Sequence, residues 1–348
     1  MTMGTGDPTT TLMAVFEAIP NQLNPYADTA IQHLDRWVAE QGVIIASAAK
    51  DRFEQANFSW FAAAAYPTAN ETDLALITDW FVWFFLLDDQ LDDGRLGKNP
   101  ERINTLMTMI FDVLDGPEDR GHGPATPTIV TSLADLWQRT AVSASSAWRR
   151  RFIDHMIAGG MAACWEADNR VRGVVPDAAT YVQKRRHTGA IYVFMDLIEI
   201  VEHIDLPAEI YGREPFAGAL RAACDVVAWT NDLYSLDKEA SMGEYHNLVA
   251  IIQHERALSR VDAIKSVTRL ISERVQDFFR EELAVHAAWP TNSVEVSGYL
   301  AGMRSFMRGN LDWSATTRRY RDTRRHSPDP TRYLEAGVVE QTGQWETR

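Results

Sequence analysis

The chain has 348 residues, of which 46% are hydrophobic, and a formal net charge of −14. That is ample apolar material for a large core, and with no basic run beyond short pieces such as Arg149-Arg150-Arg151 the charge balance argues against nucleic acid as a partner. The same negative field repels anions in general, so any anionic ligand would have to be captured locally.

Residues 1–20, with Gly, Pro and the run Thr9-Thr10-Thr11, read as a loose N-terminal arm. From Asp28 the pattern is helical, with Ile31, Leu34, Trp37 and Val38 at helix spacing. A second helix is expected over about 50–64, carrying Phe53, Phe58, Trp60 and Phe61, and Thr72 or Asp73 is placed to cap the helix that leads through 80–92. Residues 116–128 form a Gly- and Pro-rich loop, followed by helices at about 129–143 and 146–168. Pro176-Asp177 opens the helix that carries Arg185, and 191–204 forms the next one. Pro215 marks a turn before a helix at about 216–239. The polar segment 240–247 is a candidate lid or an ordinary connection. Helices resume at about 248–257, 260–286 and 294–317, and residues 326–348 read as a weakly ordered tail. No alternating strand, repeat or inter-domain linker is visible. The expected fold is a single all-α domain, a helical bundle, over residues 21–325.

Cys164 and Cys224 each follow Ala-Ala and provide neither a zinc site nor a disulfide framework. No secretory signal pattern opens the chain, and the apolar run 80–87 is too short to span a bilayer, so a cytoplasmic protein without membrane insertion is expected.

Two oxygen-rich stretches stand out. Asn231, Ser235 and Glu239 lie at i, i+4 and i+8, which puts an amide, a hydroxyl and a carboxylate on one helix face. These are hard donors suited to Mg²⁺, with Lys238 beside them to meet an anion; taken alone, the spacing also fits a solvated face. Far upstream, Asp88, Asp89, Asp92 and Asp93 fall within six positions after an aromatic run. Like charges on one helix end repel each other and oppose the helix dipole, so a counter-cation is expected there.

Together these stretches resemble the class I terpene synthases of bacteria, which pair a D-D-x-x-D motif with a later N-D-x-x-S-x-x-K-E motif. Arg185 stands 46 positions before Asn231, where the family places a diphosphate sensor, and Thr188 and Gly189 stand at its linker and effector positions. Arg319-Tyr320 matches an Arg-Tyr pair expected about 80 residues after the second motif. The resemblance spans roughly residues 20–325. It implies three Mg²⁺ ions, with Asp88 as the reliable acidic ligand and the roles of Asp89 and Asp92 left open by the extra Asp93. It implies a prenyl diphosphate substrate held by Arg185, Lys238, Arg319 and Tyr320, and it allows a homodimer. Thr188 departs from the acidic linker of many relatives, and a helix break is expected at Thr188-Gly189.

Ionisation of such a substrate leaves an allylic cation that water would quench, so a dry aromatic pocket is required. A desolvated aromatic face stabilises a cation by up to ~2 kcal/mol. Phe81, Phe84 and Phe85 precede the acidic motif by one to two turns, and family spacing adds Phe194, Phe306 and Trp313; for each, plain core packing is the alternative. No dedicated general base stands out: His187 and His246 are near the motifs, and the diphosphate itself is a candidate proton acceptor. The crowded aromatic ring is compatible with a C15 chain, the commonest choice among the bacterial relatives, so the resemblance implies farnesyl diphosphate, with geranylgeranyl diphosphate as the alternative. A chain-elongating prenyltransferase would need a second aspartate-rich motif, and a helical scaffold would show no stabilisation by Mg²⁺ and pyrophosphate.

Overall fold

The computed structural model describes residues 8–92, 96–116, 126–320, 334 and 336–339. Every regular element among them is helical. In chain order the α-helices are α1 (Pro8–Val15), α2 (Ala27–Gln41), α3 (Ser47–Ala56), α4 (Phe58–Ala65), α5 (Glu71–Asp92), α6 (Pro100–Asp115), α7 (Thr128–Ala141) and α8 (Ser146–Arg172). They continue with α9 (Ala178–Thr188), α10 (Ile191–Glu202), α11 (Ala208–Tyr211), α12 (Phe216–Ser241), α13 (Leu248–Glu255), α14 (Arg260–Ala288), α15 (Ser293–Thr316) and α16 (Ala336–Val339). No helix among the described residues is long and apolar enough to cross a membrane.

The helix starts follow from local chemistry. Side-chain oxygens of Asn99, Ser145, Asp177, Asn247 and Ser259 accept the otherwise unpaired N–H groups of the first turns of α6, α8, α9, α13 and α14. At α5 the cap is Asn70, whose Oδ1 accepts from the Asp73 N–H at 3.0 Å, rather than Thr72 or Asp73. The helix expected over 50–64 is two helices, because Asn57 takes a left-handed φ of 53°. Helix α6 is absent from the sequence reading.

The helices group into two compact units: Met1–Leu23, Ala64–Pro67 and Val175–Thr316 form one, and Asn24–Ala63, Thr68–Val174 and Thr317–Arg348 the other. Neither is a continuous piece of sequence, so the all-α domain has no boundary along the chain.

The first unit is built on α12, which is buried along most of its length against α14 and α15. Phe216 packs edge-on against Tyr299 at 5.2 Å, and Asn310 Nδ2 donates to the Val227 carbonyl at 3.1 Å. The two contacts share an offset of 83 residues, so α12 and α15 run parallel. Helix α10 runs antiparallel to α15, with Phe194 against Phe306 and Gly302 against Ile198. At Gly309 the backbone of Ala64-Ala65 comes so near that a β-carbon would lie 2.7 Å from it. Residues 8–19 correct the expectation of a loose arm. Leu12, Phe16 and Ile19 are buried, α1 packs on α14, and Arg308 Nη1 donates to the carbonyls of Phe16 (3.1 Å) and Ile19 (2.9 Å).

The second unit is built on α5, whose residues 80–83 are entirely buried. Its tryptophans serve as cross-braces as well as bulk. Trp80 Nε1 donates to Thr140 Oγ1 at 2.9 Å, Trp83 Nε1 to the Ile129 carbonyl at 2.7 Å, and Trp37 Nε1 to Asp135 Oδ2 at 2.9 Å. Buried Asp79 on α5 is paired with His33 of α2 and Arg139 of α7, each at 2.9 Å. The expected tail over 326–348 lies mostly outside the described residues; the part that is described, α16, packs on α7 with Val338 buried.

Gly309→Ala forces a β-carbon into main chain that cannot step aside. It is expected to cost about 1–3 kcal/mol, read as a lower thermal midpoint. Gly212→Ala, with no atom within 4 Å of the new β-carbon, is expected to leave the midpoint unchanged or raise it.

Candidate active site

In the first unit, α12 carries Asn231, Ser235 and Glu239 one turn apart. Ser235 Oγ donates to the Asn231 carbonyl at 2.8 Å and also hydrogen-bonds Glu239. Arg185, in the last turn of α9, lies over the head of this row. Its Nη2 donates to Asn231 Oδ1 at 2.8 Å and its Nε to Asp232 Oδ1 at 2.9 Å. Asp232 is fully buried, and its Oδ2 accepts from Tyr181 Oη and from the Leu248 N–H, each at 2.9 Å. Asn247 Nδ2 bridges the Asp232 carbonyl and Glu239 Oε2, each at 2.7 Å. Lys238 is buried on the same helix.

Loss of hydration, reinforced by the Asp232 charge, pushes Glu239 up to about 8, and Arg185, Ser235 and Asn247 pull it only part of the way back. Asp232 and Glu239 thus share the Arg185 guanidinium. Amide, hydroxyl and carboxylate oxygens at one-turn intervals fit a hard divalent cation, whose charge would favour the ionised form of Glu239. Among the described residues no three His, Cys, Asp or Glu side chains converge on a point, so a metal here would rely on this mixed donor set.

Helix α9 ends at Thr188 and α10 begins at Ile191, so the helix breaks at Gly189-Ala190. Ala190 takes the left-handed conformation, with φ 52°. Gly189 instead leaves room for the guanidinium, since a β-carbon there would lie 3.3 Å from Arg185 Nη1. The segment 240–247 is anchored at its far end. Tyr181 Oη donates to the His246 carbonyl, and the Glu244 carboxylate takes the N–H groups of Tyr245 and His246 and meets the His246 imidazole at 2.6 Å.

In the second unit, the last turn of α5 carries Asp88, Asp89 and Asp92, and arginines supply their counter-charge. Arg319 reaches Asp88 Oδ2 at 3.0 Å and both oxygens of Asp89, at 2.8 and 3.1 Å. Arg52 donates to Asp89 Oδ1 at 3.0 Å, and Arg170 to Asp92 Oδ1 at 3.0 Å. Asp88 keeps 39% of its side chain exposed against 13% for Asp89, so it is the more open of the two. Burial opposes the charge on Arg319, but Asp89 and Asp88 outweigh it and hold the guanidinium protonated. The same guanidinium lies 5.1 Å from the Phe85 ring centre, and Phe85 stacks on Phe58 at 4.2 Å. Tyr320 is buried next to it in sequence, and Asp93 lies outside the described residues.

The aromatic candidates divide in the same way. In the second unit Phe81 is wholly buried, edge-on to Phe61 at 4.8 Å, while half-buried Phe84 sits against Trp80 (5.7 Å) and Trp83 (4.9 Å). In the first unit Phe194 and Phe306 lie 5.7 Å apart, Tyr66 Oη donates to the Phe194 carbonyl at 2.6 Å, and Trp313 is buried. Sequence reasoning missed Asp232, Tyr181, Asn247, Arg52 and Arg170. Only Asp232 carried a signal, being the second residue of the motif itself.

Residues 79–277 match the family model described as "Terpene synthase family 2, C-terminal metal binding", a stretch that holds both oxygen-rich motifs. The chain belongs to this terpene synthase family. This synthase is 33% identical to (+)-T-muurolol synthase of Roseiflexus castenholzii, described as cyclizing (2E,6E)-farnesyl diphosphate, over 86% of the chain and 91% of that protein. It is 30% identical to germacrene A synthase of Nostoc punctiforme, over 88% of the chain and 94% of that protein. The solved structure of wild-type cucumene synthase matches with a TM-score of 0.75 at 28% identity, covering 86% of this chain and 98% of that one. The terpene synthase described here is therefore a terpene cyclase of the all-α class I type, with a metal-binding region in its family signature.

A carboxyl whose pKa is raised by folding holds its proton more tightly in the folded chain than in the unfolded one. The stability this confers on the metal-free synthase is complete below the ordinary value of 4.5 and is lost as pH rises through about 8. The metal-free thermal midpoint is expected to fall across that window. Glu239→Gln, which fixes the neutral form, is expected to flatten the fall; an unchanged slope in the variant would show that other groups cause it.

Proposed function

We propose that this synthase ionises farnesyl diphosphate and cyclises the resulting carbocation to a sesquiterpene, releasing diphosphate. The observation that carries the reading is Arg185 Nη2 bonded to Asn231 Oδ1 at 2.8 Å. An arginine suited to a diphosphate and an amide suited to a metal are in direct contact, beside a carboxyl that burial and the Asp232 charge hold above its ordinary range. The farnesyl chain is supported by the cyclization named for the Roseiflexus relative.

In this reading Asn231, Ser235 and Glu239 hold magnesium, and Asp88, the more open acid of its motif, is a further ligand. Magnesium, three ions by family resemblance, supplies Lewis-acid neutralisation of the leaving diphosphate. Arg185 and Arg319 bind diphosphate oxygens as planar forks, joined by Lys238 and Tyr320. Their hydrogen bonds strengthen as charge collects on the leaving oxygen, so they favour the transition state over the bound substrate. Gly189 and Thr188, at the break next to Arg185, link its position to the start of α10. Phe84, Phe85, Phe194, Phe306 and Trp313 exclude water and present ring faces to the cation, with Phe81 packed behind Phe61 as support.

Asn231→Ala, Glu239→Ala and Arg185→Ala are each expected to abolish turnover while the fold, followed by circular dichroism, stays intact. Near-parental activity in either metal-site variant would sink the metal assignment. Purified synthase given Mg²⁺ and, separately, geranyl, farnesyl and geranylgeranyl diphosphate is expected to release a cyclic C15 product, identified by gas chromatography with mass detection. A C20 product alone would overturn the substrate and leave the mechanism standing.

A further inference from the structure

A second arginine–carboxylate cluster in the first unit has no part in the chemistry described so far. Asp225 lies on α12, buried, seven residues before Asp232 and so on the same helix face. Its Oδ1 accepts from Arg186 Nε at 2.6 Å and its Oδ2 from Arg186 Nη2 at 2.9 Å, a two-pronged fork. From α14, Arg274 adds Nε at 2.9 Å and Nη2 at 2.6 Å to Oδ2, and its Nη1 turns to Asp277 at 3.1 Å.

Arg186 is the immediate neighbour of Arg185. Two consecutive arginines therefore fasten the last turn of α9 to α12, Arg186 at Asp225 and Arg185 at Asn231 and Asp232. The two anchor points on α12 are about 10.5 Å apart along its axis. Adjacent side chains on α9 diverge by roughly 100°. Holding both on one face of α12 restricts the rotation and height of that turn. Directly beyond it the helix breaks at Gly189-Ala190, so no continuous helix carries the turn onward. Without Asp225 the turn would be held on α12 by Arg185, which has to engage the diphosphate, and by Tyr181 one turn back.

We propose that Asp225 is a positioning residue. Its clamp on Arg186, braced by Arg274, fixes the last turn of α9 so that Arg185 presents its guanidinium to the substrate diphosphate at Asn231. The proposal rests on the reading of Arg185 as a diphosphate ligand. Both Asp225 oxygens are taken up by Arg186 and Arg274, so its effect on anion binding has to pass through Arg185. A residue that only held the fold together would lower the thermal midpoint without acting through Arg185.

The test is calorimetric titration of the full chain, saturated with Mg²⁺, with inorganic pyrophosphate. Asp225→Asn keeps the volume and removes the charge; Arg186→Lys keeps the charge and removes the fork. Each is expected to weaken pyrophosphate by about fivefold or more, with Arg185→Ala weakened at least as much. The double variant Asp225→Asn/Arg185→Ala is expected to match Arg185→Ala within about twofold, because a positioning effect disappears with the group it positions. Parental affinity in Arg186→Lys and Asp225→Asn beside a weakened Arg185→Ala overturns the clamp and leaves the role of Arg185 standing. Losses that multiply in the double variant also overturn it. Parental affinity in Arg185→Ala removes the reading beneath the proposal. Should Asp225→Asn fail to fold, Arg186→Lys decides, since it leaves Arg274 on Asp225.

Discussion

The buried carboxylate of Asp232 is the constraint on which the first unit depends. An unpaired charge at that depth would cost several kcal/mol, so the structure surrounds it with donors. Tyr181 and Arg185 come from α9, the Leu248 N–H opens α13, and Asn247 seals the main-chain carbonyl of Asp232 itself. One residue in the middle of α12 therefore sets where two neighbouring helices end or begin. Two turns on, burial raises the Glu239 carboxyl and the Asp232 charge adds to the effect, against the pull of Arg185, Ser235 and Asn247. The residue that organises the core of the unit therefore also contributes to the electrostatic tension of the site.

The second unit handles its acids differently. Asp88, Asp89 and Asp92 would repel each other at the end of α5, where the helix dipole also opposes them. Arg319, Arg52 and Arg170 neutralise them at 3 Å or so, and Arg319 is held against Phe85 and Phe58. A pattern of four acids in six positions announces a cation without saying which one. In the protein alone that cation is guanidinium, and Asp88 is the acid with most surface left over for anything else.

How far such features are legible depends on range. The row Asn231, Ser235, Glu239 is local, and spacing alone locates it; the break after Thr188 is expected only through the family resemblance. Asn99 caps α6 and Pro100 takes its first position, a local helix-start signal that the hydrophobic pattern alone does not bring out. Asn57 splits one expected helix into two through a backbone conformation that no hydrophobic period reveals. The arginines on the acidic motif were out of reach for another reason. Arg52 lies 37 residues from Asp89 and Arg170 lies 78 from Asp92, and no local pattern encodes a pairing at that distance.

The interleaving of the two units limits how this chain can be recombined with its relatives. A chimera that imports residues 175–316 brings in the metal motif with most of one unit, but it leaves Met1–Leu23 and Ala64–Pro67 behind from the host. Arg308 would then meet foreign carbonyls at positions 16 and 19, and Gly309 a foreign backbone at 64–65. The metal motif is therefore poorly transplanted by exchanging halves. The natural crossover is a three-piece exchange in which the short N-terminal helix and a four-residue stretch travel with the C-terminal block.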